Sequence, residues 1–193
     1  MNKKNKLLLL LGTIFFVILL IIFNKSQKKE NEFFISKDIN RYELYTDRGD
    51  SFKTKIVLNK PSIFFFGFLN CPDICPNTLH EISNIIDKLG NKSKKINFFF
   101  VTVDPERDTI SNMREYLDNF NENIIGITGE KESMKNFLKS MHVYYEKVFI
   151  SKDFYTLDHS SQMYIFKKNG KFFGTISLNE QENIVFEKIE SVI

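Results

Sequence analysis

Two stretches of this 193-residue chain, Ile63 to Leu69 (IFFFGFL) and Ile96 to Val103 (INFFFVTV), are near-continuous apolar runs, and they limit the possible folds more than any other feature. Runs of that length without alternation suit strands buried on both faces, the position strands hold in a parallel sheet covered by helices. Between them Leu79, Ile82, Ile85, Ile86 and Leu89 recur at helical spacing, and Gly90 follows where a C-cap glycine belongs. This predicts a βαβ unit. A second helix is expected from Ile110, Met113, Leu117 and Phe120, a third strand from Ile124 to Thr128, and a third helix from Met134, Phe137, Leu138 and Met141. Met163 to Phe166 and Phe172 to Ile176 flank an Asn169-Gly170 step, a strong hairpin signal, so an antiparallel pair should close the sheet. Asn179 with Glu182 three residues later reads as a capping box opening a final helix on Ile184, Val185, Ile189 and Val192. Upstream, Tyr42 to Thr46 and Phe52 to Leu58 read as a peripheral hairpin around Asp47, Arg48, Gly49 and Asp50. The order of elements is an α/β, thioredoxin-like layout.

Ahead of this domain, Leu7 to Phe23 is apolar apart from Gly12 and Thr13, with Lys3, Lys4 and Lys6 before it and Lys25, Lys28 and Lys29 after it. At a rise of about 1.5 Å per residue it extends roughly 25 Å, which fits a short transmembrane helix whose flanking lysines snorkel. No small-residue cleavage pair follows, so an uncleaved anchor is expected over residues 1–29, a linker over 30–40 and the folded domain over 41–193. Equal lysine numbers on the two sides leave the orientation open. The formal charge of +3 is set by these six lysines: without them 21 basic residues face 24 acidic ones, which removes the main support for nucleic-acid binding.

The only two cysteines, Cys71 and Cys75, stand in Asn70-Cys-Pro-Asp-Ile-Cys-Pro76, at the carboxyl end of the first buried strand, where open α/β folds place ligands. Each precedes a proline, which disfavours the α region for the cysteine and predicts that both lie on a loop, with Cys75 at or next to the helix N-cap. The helix dipole and free N–H groups there favour a thiolate. A structural disulfide, a redox dithiol and a soft-metal site all remain open for the pair, although a bridge over so short a loop would restrain the unfolded chain little.

A metal site needs a third ligand. His80, early in the first helix, reads as a solvated helix-end residue, and His142, at the end of an apolar helix face, as structural. His159 lies in Leu157-Asp-His-Ser-Ser161, a polar segment expected to be a loop, where packing gives no reason for a histidine. Two thiolates and one imidazole form a soft, low-coordinate set that favours copper, whereas structural zinc would want a fourth ligand. In Val103-Asp-Pro-Glu-Arg-Asp-Thr109, Pro105 ends the strand and Asp108 or Thr109 caps the next helix; Asp104 beside the cysteine loop could equally stand in the outer shell of the site.

Taken together, CPDICP, VDPERDT and LDHSS, in this order behind an apolar N-terminal segment, resemble the Sco/SenC family of membrane-tethered copper proteins over roughly residues 40 to 190. The resemblance implies a thioredoxin-like fold and one copper, Cu(I) or Cu(II), held by Cys71, Cys75 and His159. Asp104 and Asp108 match the family's acidic motif, as outer-shell or docking residues. It also implies a metallochaperone role, rather than an enzyme's, in building the copper centre of cytochrome c oxidase. The expected partners are subunit II of that oxidase and other copper chaperones. The expected location is the periplasmic side of an inner membrane or the mitochondrial intermembrane space. A thiol-disulfide reductase cycling Cys71 and Cys75, or a copper or redox sensor, would use the same residues. Two positions depart from the family pattern: Asn59-Lys60 stands where a Gly-Lys pair is common, and Phe68-Leu69 where a Tyr-Thr pair is.

Overall fold

The computed structural model describes residues 2, 4–5, 11–20, 33–35, 39–152 and 154–193. The chain divides into two compact units, Met1–Phe33 and Phe34–Ile193. In the first, residues 11–20 are helical with exposed side chains, and the two ends of the expected span lie outside the described residues. Among the described residues no helix is long and apolar enough to cross a membrane.

The second unit is built on a six-stranded sheet of order β1-β4-β3-β2-β7-β8, with a separate two-stranded ribbon, β5-β6. Its strands are β1 Leu44–Thr46, β2 Ser62–Gly67, β3 Asn97–Thr102, β4 Ile124–Gly129, β5 Tyr145–Phe149, β6 Tyr155–His159, β7 Met163–Phe166 and β8 Phe172–Ile176. The helices are α1 Thr54–Asn59, α2 Ile74–Leu89, α3 Ile110–Leu117, α4 Lys131–Ser140 and α5 Glu182–Glu190. The two apolar runs are the central strands: β2 and β3 pair in parallel from Ser62↔Asn97 to Gly67↔Thr102, and β3 pairs in parallel with β4. Every residue of β2 is buried. Burial on both faces explains why the run does not alternate, and the phenylalanines fill the core, with Phe64 and Phe99 at 4.8 Å between ring centroids and Phe52 edge-on to Phe99 at 5.2 Å. The expected antiparallel pair is β7-β8, with β7 laid against β2. Gly90 ends α2 with φ 51°, its N–H turned back to the carbonyls of Asp87 and Ile86.

The N-terminal hairpin is not formed as expected. β1 pairs antiparallel with β4, and Thr54–Asn59 is helical, so only a single bridge, Tyr45↔Ser51, remains of the second arm. The free edge of β4 offers β1 a full ladder. The following segment instead buries Thr54 and Val57, one helical turn apart, while Asn40 Oδ1 accepts the Thr54 N–H. The expected capping box also fails: α5 starts at Glu182, and Asn179 sits two residues outside its N-cap in a left-handed conformation, φ 65°. Glu180, not Asn179, supplies the local side-chain acceptor, taking the Ser177 N–H.

Candidate metal centre

The carboxyl ends of β2 and β3 converge where the cysteines lie. Val103 N–H donates to the Gly67 carbonyl at 2.8 Å, extending the ladder past the last strand residues. Cys71 is on the loop, its N–H bonded to the Phe68 carbonyl, but Cys75 is not: α2 begins at Ile74, with Asp73 as N-cap, and Cys75 is fully buried in the first turn. Cys75 is helical although Pro76 follows it, and Pro76 itself is tolerated because it is still within that first turn, where its missing N–H has no intrahelical partner to lose. The Cys75 N–H donates to Cys71 Sγ at 3.4 Å, so the helix terminus is aimed at the Cys71 sulfur.

The two sulfurs have opposite characters. The Cys75 thiol donates to Cys71 and, with backbone N–H groups of Asp73 and Cys75, lowers the Cys71 pKa to about 5 despite partial burial. The same shared proton, then burial, pushes Cys75 well above the ordinary thiol range. At neutral pH the pair is one thiolate, partly exposed, and one buried thiol.

His159 reaches this pair from β6. It is not on a loop: it is the last residue of the strand, opposite Tyr145 on β5. Its Nδ1 donates to the Ser160 carbonyl at 2.9 Å, which leaves Nε2 facing Cys75 Sγ at 3.8 Å. Phe68 holds the ring edge-to-face at 5.7 Å between centroids. The three side chains thus form a chain with Cys75 in the middle. Among the described residues no three His, Cys, Asp or Glu side chains enclose an ion-sized space. His80 and His142 do not join them: His80 is exposed and packs on Phe120 at 4.9 Å, and His142 is exposed past the end of α4 at φ 54°.

Asp104 and Asp108 are each 1% exposed and spend their oxygens inside the protein. Asp108 Oδ2 accepts the Leu69 N–H at 3.2 Å and the Thr102 hydroxyl at 2.6 Å, tying the start of the cysteine loop to the end of β3, and burial pushes its pKa up to about 6. Thr109, not Asp108, caps α3, accepting the Asn112 N–H. Asp104 accepts from the Tyr155 hydroxyl at 2.9 Å and from Arg107 Nε. Sequence reasoning missed Arg107, Phe68 and Tyr155. Arg107 stands inside a motif already singled out, where a cation between two buried acids was the signal.

A family model described as SCO1/SenC matches residues 34–193. An SCO2-like protein of Rickettsia prowazekii is 37% identical over 133 residues, 68% of this chain, and the match spans 65% of that protein's length. The mitochondrial SCO1 protein of Saccharomyces cerevisiae is 36% identical over 73% of this chain, but the match spans only 49% of that protein. The solved structure of Bradyrhizobium japonicum ScoI with copper bound superimposes with a TM-score of 0.74 at 31% identity, covering 79% of this chain and 97% of that one.

Proposed function

Because this chain belongs to the SCO1/SenC family, whose fold it shares, we propose that it is a copper metallochaperone that carries copper toward the copper centre of cytochrome c oxidase. The ion is cargo. Cys71, Cys75 and His159 are the proposed ligands, for one Cu(I) or Cu(II) per chain. The observation carrying this is the buried Cys75 sulfur set between a second sulfur and the His159 ring nitrogen Nε2. Two thiolates suit Cu(I), and the imidazole makes Cu(II) tolerable. The buried carboxylates of Asp104 and Asp108 are committed to other donors. Uptake displaces the Cys75 proton, and delivery is ligand exchange with an acceptor of similar softness, for which subunit II of the oxidase and other copper chaperones are the proposed partners.

The unit 34–193 is the proposed copper domain, carried by an anchor within residues 1–29 and facing the periplasm or the intermembrane space. Protease accessibility of the full chain in sealed membrane vesicles tests that topology; protection from both sides would refute it. Titration of the reduced protein with copper, followed by thiolate-to-metal absorption, tests the site. One equivalent should saturate it, and His159→Ala should change the Cu(II) spectrum. An unchanged spectrum would remove His159 from the ligand set.

A second reading, a thiol-disulfide reductase, is favoured by the asymmetry of the pair. A partly exposed thiolate next to a buried thiol is the arrangement of an attacking and a resolving cysteine. Exogenous copper should partly rescue loss of a chaperone and not loss of a reductase.

A further inference from the structure

The proposed ligands come from two bodies with no shared ladder, since β6 belongs to a ribbon separate from the main sheet that carries the cysteines. Strand hydrogen bonds therefore do not fix His159 against Cys75: the chain rejoins the main sheet only at Met163, and the hold on β6 itself is made by side chains. Resting on the copper reading above, we infer that Arg107 is a positioning residue for His159, clamping the ribbon to the cysteine loop so that the imidazole is available to Cu(II).

Arg107 is placed to do this. Asp104, buried at the end of β3, accepts from its Nε and fixes the guanidinium to the body. Its Nη1 donates to the Tyr155 carbonyl at 3.1 Å, four residues before His159 on the same strand. Its guanidinium carbon lies 3.8 Å from the Tyr155 ring centroid and 6.0 Å from that of Phe68, and Phe68 is the ring packed against His159. Nη2 is buried with no hydrogen-bond partner among the described residues, so stacking rather than full hydrogen bonding holds that side of the group. Tyr155 reinforces the clamp through its hydroxyl on Asp104, and Lys147 of β5 through Glu106 at 2.8 Å. These hydrogen bonds and ion pairs from ribbon to body converge on the four residues 104–107. Strand β6 is thus held at its first residue and presents His159 at its last.

The consequence separates the two oxidation states. Cu(I) draws most of its binding from the two soft sulfurs, which the main body holds, whereas Cu(II) relies more on the imidazole. In the full chain, Arg107→Ala should lower Cu(II) affinity by about 10–100-fold, the usual effect of losing an orienting partner, and Cu(I) affinity by clearly less. Its Cu(II) electron paramagnetic resonance spectrum should move toward that of His159→Ala. In the metal-free protein the nuclear Overhauser contact between the Phe68 and His159 rings should disappear. Arg107→Lys keeps a cation over Tyr155 but loses the forked donors and should fall between. Arg107→Met, which keeps the stem, serves if the alanine variant does not fold. A retained ring contact with an unchanged Cu(II) spectrum would overturn the inference, as would equal loss of Cu(I) and Cu(II) affinity with the contact retained. Should His159→Ala itself leave the Cu(II) spectrum unchanged, the ligand assignment fails, and the metal-free ring contact alone decides whether Arg107 is the clamp.

Discussion

Gly67, the last residue of β2, lies directly beneath the buried sulfur, and replacing it by alanine tests how tightly Cys75 is seated. A methyl built there would stand 2.8 Å from Cys75 Sγ and 2.8 Å from the Phe100 ring edge. Ordinary contact between such atoms is about 3.5–4.0 Å, so roughly 0.7–1.2 Å of overlap must be relieved. Phe100 is fully buried and Cys75 is fixed by its helix, so neither gives way cheaply. Overpacking of this kind costs about 1–3 kcal/mol. At about 2–4 °C per kcal/mol for a chain of this size, the metal-free Tm should drop by roughly 2–12 °C. Displacing the sulfur from its seat should also lower copper affinity by about tenfold or more, the usual effect of disturbing what orients a ligand. Gly126→Ala is the control. Its methyl would collide with Met113 and, at 2.8 Å, with Leu117, away from the cysteines, so it should lower Tm without changing affinity for the metal. Calorimetry of both metal-free variants together with competitive copper titration reads the two effects apart. If Gly67→Ala destabilised the protein and still bound copper as the unsubstituted chain does, the argument that Cys75 has a fixed seat would be wrong.

The thiolate assignment predicts that alkylation of the reduced, metal-free protein by iodoacetamide modifies Cys71 with a midpoint near pH 5 and spares Cys75. A midpoint at the ordinary thiol value of about 8.5 would refute it. Since Cys71 enters as a thiolate and Cys75 as a thiol, Cu(I) binding at pH 7 should release one proton per ion in a pH-stat, and release of two would mean that the shared proton is misassigned. Asp108 has its folded pKa raised from 3.8 to about 6, so its contribution is favourable below pH 4 and is lost as pH rises toward 7. By linkage the loss is about 3 kcal/mol, and Asp108→Asn should flatten that part of the stability profile in denaturant titrations at pH 4 and 7. An unchanged slope would show that Asp108 titrates normally.

The central fold was legible because burial on both faces leaves its mark on composition: IFFFGFL and INFFFVTV can hardly be anything but β2 and β3. The ribbon was not. Tyr145–Phe149 and Tyr155–His159 pair only with each other and bury little beyond Leu157, so neither period nor a glycine turn announces them. For the same reason His159 looked like a loop residue. Ile56, Val57 and Leu58 misled in the other direction: their β propensity is overridden by tertiary context, in which the segment is helical and buries Thr54 and Val57. At the centre itself, the cysteine pair and His159 could be singled out by residue type, but the position of Cys75 inside α2 could not, because a following proline disfavours the helical region and the structure goes against that preference here.

What residue types could not convey is the division of labour between two supports. Cys75 is held by α2 and the strand ends, with Asp108 stapling Leu69 to Thr102 beneath the cysteine loop, and nothing in that half depends on the ribbon. His159 rests in addition on the other half, where Asp104, Arg107 and Tyr155 meet. Both supports start from the same five residues, Asp104 to Asp108, which leave β3 between them. A carrier must bind an ion firmly and still surrender it. Two ligands on a rigid terminus and a third on a separately tethered ribbon allow one bond to open while two remain, so an acceptor thiolate can enter before the ion is free in solution. On the proposed function, the acidic motif therefore acts on copper at a distance, by fixing where each ligand waits.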